Sequence, residues 1–122
     1  KLTMNKQVAK LWTEALRSGE YRQTRRCLED QSGNCCLGVL CRLAQKNNVP
    51  LRILSGEEHT YFDDECGILP KSVMDWSGIK SAIAEFNRKN GFSEWDTLAS
   101  QNDCGKTFSE IADLIEQHVE TL

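Results

Sequence analysis

The sequence predicts an α+β fold, a helix-dominated single domain with a small β-hairpin or sheet. Two amphipathic segments near the ends of the chain, an apolar segment between them and short turn-rich stretches elsewhere lead to this prediction. A chain of 122 residues is typical of one domain, and folding buries about two thirds of the surface of a chain of this size. We therefore expect one globular domain over residues 1–122, with residues 1–3 as a remnant ahead of a natural start at Met4.

The two terminal helices have the clearest patterns. Over about residues 5–18 the apolar side chains recur at the spacing of one helix face, and Gly19 follows as the expected stop. Over about residues 107–121, Thr107 and Glu110 have the spacing of a capping box, and apolar residues again share one face. These segments are predicted to be amphipathic helices that pack on a common core.

The segment between them predicts a hairpin and a buried helix. Residues 20–34 are polar and contain a turn-like stretch from Asp30, which favours a short hairpin. Residues 36–46 have a wide apolar face, typical of a buried helix. A strand is predicted at Thr60–Phe62, within the acidic run EEHTYFDDE.

Three more helical segments are predicted downstream. Pro70 is expected at the first turn of a brief helix that Gly78 closes. Apolar spacing from Ile79 to Phe86 predicts another helix, which Lys89-Asn90-Gly91 ends. A capping pattern predicts a short helix over residues 93–101. We expect the three tryptophans in the core or at its edge, and these are Trp12, Trp76 and Trp95.

Composition and charge argue against two classes of partner. The net charge is −3, whereas a dedicated nucleic-acid binder usually has an excess of Lys and Arg that neutralises phosphates. We therefore expect no sequence-specific DNA binding. No run approaches the roughly 20 apolar residues of a membrane helix, and no apolar leader is visible. The expected location is the cytoplasm, where disulfides are rare.

The cysteine-rich stretch GNCCLGVLC (33–41) has several interpretations. Structural zinc sites usually have two close cysteine pairs, and the spacings here offer at most one. A thiol at a helix N-terminus can have a lowered pKa, so Cys36 is a candidate nucleophile with His59 as its base. The remaining interpretation is a buried helix that uses cysteine as a small apolar residue. We expect no metal and no catalytic residue here, and the hydrolase stays as the alternative.

An arginine cluster just before this stretch is the best candidate for binding an anion. Arg17, Arg22, Arg25 and Arg26 fall within ten residues and flank Tyr21. Guanidinium groups suit phosphates and carboxylates, and a tyrosine ring can stack on a base. The competing interpretation is a solvated loop whose arginines pair with the nearby acids Glu20, Glu29 and Asp30.

Two further patterns do not extend to complete motifs. Gly105-Lys106-Thr107 matches the end of a phosphate-binding loop, but Ser100 occupies the position of the first glycine. The acidic run over residues 57–65 lacks the alternation and internal glycine of a calcium loop. We therefore expect no cofactor.

Four stretches in a fixed order resemble a known family. They are W-x-x-A-L-R-S-G-x-Y-x-Q (Trp12–Gln23), C-C-L-G-V-L-C-x-L-A (Cys35–Ala44), L-P-x-x-V-x-x-W-x-G (Leu69–Gly78) and L-A-S-x-N-D-x-G-K-T-F-x-E-I-A-D-x-I-E (Leu98–Glu116). In this order they resemble a family of small uncharacterised proteins found widely in tailed bacteriophages. The resemblance implies an accessory protein of the bacterial host cytoplasm, and it implies no catalytic residues.

The function expected from these observations is non-enzymatic binding. The protein would inhibit a bacterial host protein or sequester a small anionic, nucleotide-like ligand, with Tyr21, Arg22, Arg25 and Arg26 as the binding residues. Two alternatives stay open: a papain-like cysteine hydrolase that uses Cys36 and His59, and a minor structural component of the virion.

Overall fold

The computed structural model of the chain describes residues 3–87 and 91–122. The described residues form five α-helices: α1 (Lys6–Ser18), α2 (Cys36–Lys46), α3 (Lys71–Ser77), α4 (Leu98–Asp103) and α5 (Phe108–His118). They also form two antiparallel hairpins, one of β1 (Glu29–Asp30) with β2 (Gly33–Asn34) and one of β3 (Ile53–Ser55) with β4 (Thr60–Phe62). The predicted α+β class is confirmed.

Helices α1 and α5 pack against each other, and both begin with a side-chain cap. The Asn5 side chain accepts hydrogen bonds from the backbone N–H groups of Gln7 and Val8 at the start of α1. The Thr107 and Glu110 side chains form the predicted capping box at the start of α5. Gly19 ends α1 in the left-handed conformation, with φ 81°. These caps fix the positions at which the two amphipathic helices begin.

Helix α2 lies in the centre of the fold, as predicted. It contacts α1, α3 and α4, and eight of its residues are buried. The buried Trp12 indole N–H donates a 2.9 Å hydrogen bond to the carbonyl oxygen of Cys36 and so ties α1 to the first turn of α2. Cys35, Cys36 and Cys41 are all buried in the core, where a free thiol packs as a small apolar group.

Both predicted strand regions are present. The hairpin within residues 20–34 is the β1–β2 pair, and the Thr60–Phe62 strand pairs with Ile53–Ser55. Strand β4 ends in a tight turn at Asp63 and Asp64, which have φ values of 51° and 70°. Two successive left-handed residues match a type I′ turn, which joins antiparallel strands. This turn returns the chain to Cys66, whose carbonyl oxygen accepts from the Leu28 N–H at 2.6 Å.

The helix predicted from Ile79 to Phe86 is wrong. This segment is irregular, and Ala84 has a left-handed φ of 57°. Its backbone pairs with a distant segment, because Phe86 donates to Asp96 and Ala84 accepts from Leu98, each at 3.0 Å. Ile79, Ala84 and Phe86 are buried, and Ala82 and Ile83 are half-buried, so burial without a helix produced the misleading spacing. Two residues of the predicted stop, Lys89 and Asn90, lie outside the described residues.

The helix predicted over residues 93–101 is interrupted at Thr97. A single 3₁₀ turn covers Glu94–Asp96, and Thr97 then becomes extended, with φ −127°, and caps α4. The prediction for Trp95 is also wrong, because its side chain is 56% exposed, whereas Trp12 is fully buried. Among the described residues, no helix is long and apolar enough to cross a membrane.

The closest backbone approach to α2 occurs at Gly38, and it predicts the cost of a substitution there. A Cβ atom at this position would lie 1.7 Å from the carbonyl oxygen of Leu28. Gly38→Ala therefore requires α2 to move off the Leu28 backbone, and overpacking of this kind costs about 1–3 kcal/mol or more. Urea denaturation of the variant measures this loss of unfolding free energy.

Gly67→Ala is the matched control for Gly38→Ala. Nothing lies within 4 Å of a Cβ built at Gly67, so its effect should stay within about 0.5 kcal/mol. Equal urea midpoints for the two variants would contradict the packing described for α2.

Candidate functional site

The arginine loop, defined as residues 22–26, lies against the connection between α4 and α5. The Gln23 side chain donates to the carbonyl oxygen of Lys106 at 2.8 Å. The Arg25 Nε donates to the carbonyl oxygen of Asn102 at 3.1 Å, and the backbone N–H of Arg26 donates to Asp103 Oδ1 at 2.9 Å. The loop is thus held by contacts along its length to residues about 80 positions further along the chain.

The buried side chain of Asn102 is the centre of this attachment. Its amide oxygen accepts from the Gln23 side chain at 2.8 Å and from the backbone N–H of Cys36 at 3.1 Å. Its amide nitrogen donates to the carbonyl oxygen of Thr24 at 2.9 Å. One fully buried side chain therefore joins the arginine loop, the start of α2 and the end of α4.

The predicted pairing of the arginines with nearby acids is absent from the described part of the chain. Arg22, Arg25 and Arg26 are exposed, and none of the described ion pairs includes them. Glu29 pairs instead with Arg42, with Oε2 to Nη2 at 2.6 Å. Asp30 accepts hydrogen bonds from Thr24, Ser32 and Gly33. Within the described residues, the three exposed arginines therefore keep their charges unpaired.

The pKa of Glu29 shows how firmly its carboxylate is engaged. Burial by itself favours the neutral acid and raises this pKa, but hydrogen bonds from Arg42, Asn34 and Thr60 outweigh it. The net result is a pKa below the ordinary value for glutamate. At neutral pH, Glu29 is therefore ionised and already paired with Arg42.

The backbone of Arg26 is in a conformation that L-residues rarely adopt. Its φ is 71°, in the left-handed region, and the Asp103 carboxylate holds its N–H in place. Such a conformation costs roughly 1 kcal/mol for a residue with a Cβ. Strain of this kind concentrates at functional positions, which makes the exposed Arg26 side chain a candidate for a role outside folding.

Arg17 and Tyr21 are close to the loop arginines in the sequence, but their surroundings differ from those of the exposed loop arginines. Arg17 pairs with Asp113 and Glu116 of α5 at 2.6 and 2.8 Å, so it joins helices and is neutralised. Tyr21 is half-buried and packs against the core, and the Lys46 ammonium lies 5.5 Å from the centroid of its ring. The use of Tyr21 as a stacking surface stays a prediction, and Lys46 already lies over its ring.

The two residues of the hydrolase alternative are placed differently. Cys36 is fully buried, and its thiol donates to the carbonyl oxygen of Leu98 at 3.6 Å. Burial raises the pKa of Cys36 well above its ordinary value, opposite to the lowering expected from the helix N-terminus. His59 is half-buried in a surface groove beside Asp30 and Glu58. No hydrogen bond of the described residues joins His59 to Cys36.

The described residues contain no group of three or more His, Cys, Asp or Glu side chains that could hold a metal ion. All six cysteines are free thiols.

The acidic turn at Asp63 and Asp64 bonds to neighbouring residues of this chain. Asp63 accepts from the Arg52 N–H at 2.7 Å and from the Ser72 hydroxyl at 3.1 Å. Asp64 forms an ion pair with Arg52. These carboxylates therefore stabilise a turn.

Sequence reasoning missed Asn102 and Lys106 as parts of the site. Both belong to the fourth stretch of the family resemblance, N-D-x-G-K-T, where an Asn-Asp pair shortly before a glycine is typical of an ordinary turn. Nothing in that local pattern distinguishes an exposed turn asparagine from a buried one that binds a distant loop. The resemblance to the family over this stretch is the signal in the sequence that includes both residues.

Native cysteine reactivity tests the placement of Cys36. Cys104 is exposed and Cys36 is fully buried, so iodoacetamide should label Cys104 in the folded protein and Cys36 only after unfolding. Mass spectrometry of peptides from native and urea-unfolded samples measures both sites. Rapid labelling of Cys36 in the native state near neutral pH would contradict its burial and favour the hydrolase alternative.

Residues 4–119 of the chain match the model of a family described as a domain of unknown function (DUF8296). No curated protein and no solved structure matches the chain significantly.

Proposed function

The chain belongs to the DUF8296 family, and we propose that it is a non-enzymatic binding protein whose arginine loop engages an acidic partner. The observation that carries this proposal is the presence of three exposed arginines without a carboxylate partner among the described residues. In the same region Glu29 and Asp30 are committed to other donors. Exposed, unneutralised guanidinium groups suit carboxylate or phosphate groups that a second molecule supplies.

The fastening of the loop supports a preorganised surface. Asn102 holds the Thr24 carbonyl and Asp103 holds the Arg26 N–H, each at 2.9 Å. From within the loop, the Gln23 side chain donates to the carbonyl oxygen of Lys106 at 2.8 Å. A surface that is ordered before binding loses less conformational entropy when a partner arrives. The strained Arg26 backbone then has a role in directing a positive side chain outward.

The exposure of the arginines favours a macromolecular partner over a small ligand. Small-molecule sites are usually concave and bury most of the ligand surface. Two surface grooves of the protein lie elsewhere: one between α1 and α5, lined by Lys6 and Ile115 among others, and one beside His59. A protein with an acidic surface is therefore the proposed partner, and a nucleotide-like ligand is the competing outcome.

The biological context of this proposal comes from the resemblance to tailed-bacteriophage proteins. An accessory protein of this kind would act in the bacterial host cytoplasm by occupying an acidic surface of a host protein. The proposal needs neither a metal nor a catalytic residue.

A triple substitution tests the arginine loop. Arg22→Ala, Arg25→Ala and Arg26→Ala together should weaken binding to a fluorescein-labelled Glu-rich peptide by roughly three- to 150-fold, since each exposed charge contact contributes roughly 0.2–1 kcal/mol. Fluorescence anisotropy at low salt measures the affinity. A competition arm with ATP distinguishes a small anionic ligand from an acidic peptide.

A second triple variant controls for net charge. Lys6→Ala, Arg17→Ala and Lys71→Ala remove the same charge from positions already paired with Glu120, with Asp113 and Glu116, and with Asp75. This control should change the affinity much less than the arginine-loop variant. Equal weakening by both triple variants would mean that net charge alone governs binding, and the proposal would fail.

Arg26→Gly separates binding from stability at one position. Glycine adopts a positive φ without the Cβ penalty. The unfolding free energy of this variant should therefore equal that of the natural chain or exceed it by up to about 1 kcal/mol. It should nevertheless bind the Glu-rich peptide more weakly. A variant that loses stability and keeps its affinity would contradict the role assigned to Arg26.

A further inference from the structure

Strand β3 forms the free edge of the β3–β4 hairpin. In the part of the chain that the structure describes, β3 pairs with β4 and with no other strand. Leu54 and Ser55 are exposed, and Ile53 is half-buried. The edge of β3 that faces away from β4 is therefore accessible to another chain.

The hydrogen bonds at the two ends of the hairpin fix which residues bond across it. The Asp63 N–H donates to the carbonyl oxygen of Arg52, and the Gly56 N–H donates to the carbonyl oxygen of His59, each at 2.8 Å. In an antiparallel pair, residues that bond to the partner strand alternate with residues whose backbone groups point away from it. Residues 52, 54 and 56 therefore bond toward β4, and residues 53 and 55 direct their backbone groups to the free edge.

This edge has the backbone pattern that a second extended chain requires. The N–H and C=O groups of Ile53 and Ser55 provide two donors and two acceptors on one side of the strand. An antiparallel segment would bond to all four groups with two of its own residues, and the residue between those two would lie opposite Leu54. Addition of an extended peptide to an exposed sheet edge is a recurring mode of recognition.

Leu54 and Tyr61 give the hairpin an exposed apolar face beside this edge. They lie directly opposite each other across the two strands, so their side chains are on the same face. Leu54 is 51% exposed and Tyr61 is 38% exposed. An apolar side chain opposite Leu54 on an added strand would extend this pair into a row of three across the sheet.

The charge of the hairpin indicates the charge of its partner. Residues 51–65 contain one arginine and five carboxylate side chains, so their net charge is −4. Arg52 forms an ion pair with Asp64, whereas Glu57 and Glu58 belong to none of the ion pairs of the described residues. These like charges oppose the pairing of two copies of the chain along β3, and they attract a segment that carries lysine or arginine.

We propose that the free edge of β3 binds an extended protein segment in which an apolar residue is flanked by lysines or arginines. The backbone of Ile53 and Ser55 provides the hydrogen bonds, Leu54 and Tyr61 provide the apolar contact, and the acidic side chains select a basic partner. The inference uses residues outside the arginine loop, so it does not depend on the proposed function.

Three peptides of equal charge test this inference. The first is Lys-Lys-Thr-Val-Thr-Lys-Lys, labelled with fluorescein, whose affinity for the natural chain is measured by anisotropy. N-methylation of both threonines removes the two N–H groups that would donate to Ile53 and Ser55, so it should weaken binding by about fivefold or more. N-methylation of the valine is the matched control and should change the affinity much less, because the valine N–H would point away from β3.

Equal affinities of the two N-methylated peptides would overturn the inference, because binding would then depend on charge alone. Failure of the unmodified peptide to bind at low salt would overturn it as well.

Leu54→Thr tests the apolar contact from the side of the protein. Threonine keeps a high strand propensity but removes most of the apolar surface, so affinity for the unmodified peptide should fall by roughly two- to fivefold. Ile68→Thr is the matched control, because Ile68 is 38% exposed and lies outside both strands of the hairpin. Equal affinities of the two variants would contradict the contact assigned to Leu54.

Amide hydrogen exchange distinguishes the added peptide from a second copy of the chain. Measured by NMR, exchange at the N–H groups of Ile53 and Ser55 should become slower when the unmodified peptide is bound. Slower exchange at these two amides with rising protein concentration, in the absence of peptide, would overturn the inference in favour of self-pairing.

Discussion

The buried side chain of Asn102 is the constraint on which the position of the arginine loop depends. Its oxygen accepts from Gln23 and from the Cys36 N–H, and its nitrogen donates to Thr24. A buried amide is stable only when its donors and acceptors are satisfied, and each missing bond costs about 1–3 kcal/mol. The observed position of the arginine loop satisfies Asn102, and the same side chain supports the start of α2.

Neutralisation of charge elsewhere leaves the arginines available. Arg42 forms an ion pair with Glu29, and Arg17 forms ion pairs with Asp113 and Glu116. These carboxylates are therefore paired with arginines outside the arginine loop. Instead, the Arg25 Nε donates to the carbonyl oxygen of Asn102, and the Arg26 backbone N–H donates to the Asp103 carboxylate. The polar network therefore supports the proposed binding surface, and the cysteine-rich stretch is part of the core.

The elements predicted correctly from the sequence are those whose signals are local. The caps of α1 and α5 and the apolar stretch of α2 depend on neighbours within a few residues, and the structure confirms them. The segment from Ile79 to Phe86 was mispredicted, because its backbone pairs with residues 96–98 and buried side chains can repeat at helical spacing without a helix. The role of Asn102 arises from hydrogen bonds to Gln23, Thr24 and Cys36, which are far away in the sequence, so no local pattern identifies it.

The most direct test of this account is the unfolding free energy of Asn102→Ala in urea. The account predicts a loss of about 3 kcal/mol or more, because the Cys36 N–H, the Gln23 amide and the Thr24 carbonyl each lose a buried partner. Asn87→Ala is the matched control, since Asn87 is exposed and makes one long hydrogen bond of 3.4 Å to Asp96. A loss below about 0.5 kcal/mol for Asn102→Ala, equal to that of the control, would contradict the account.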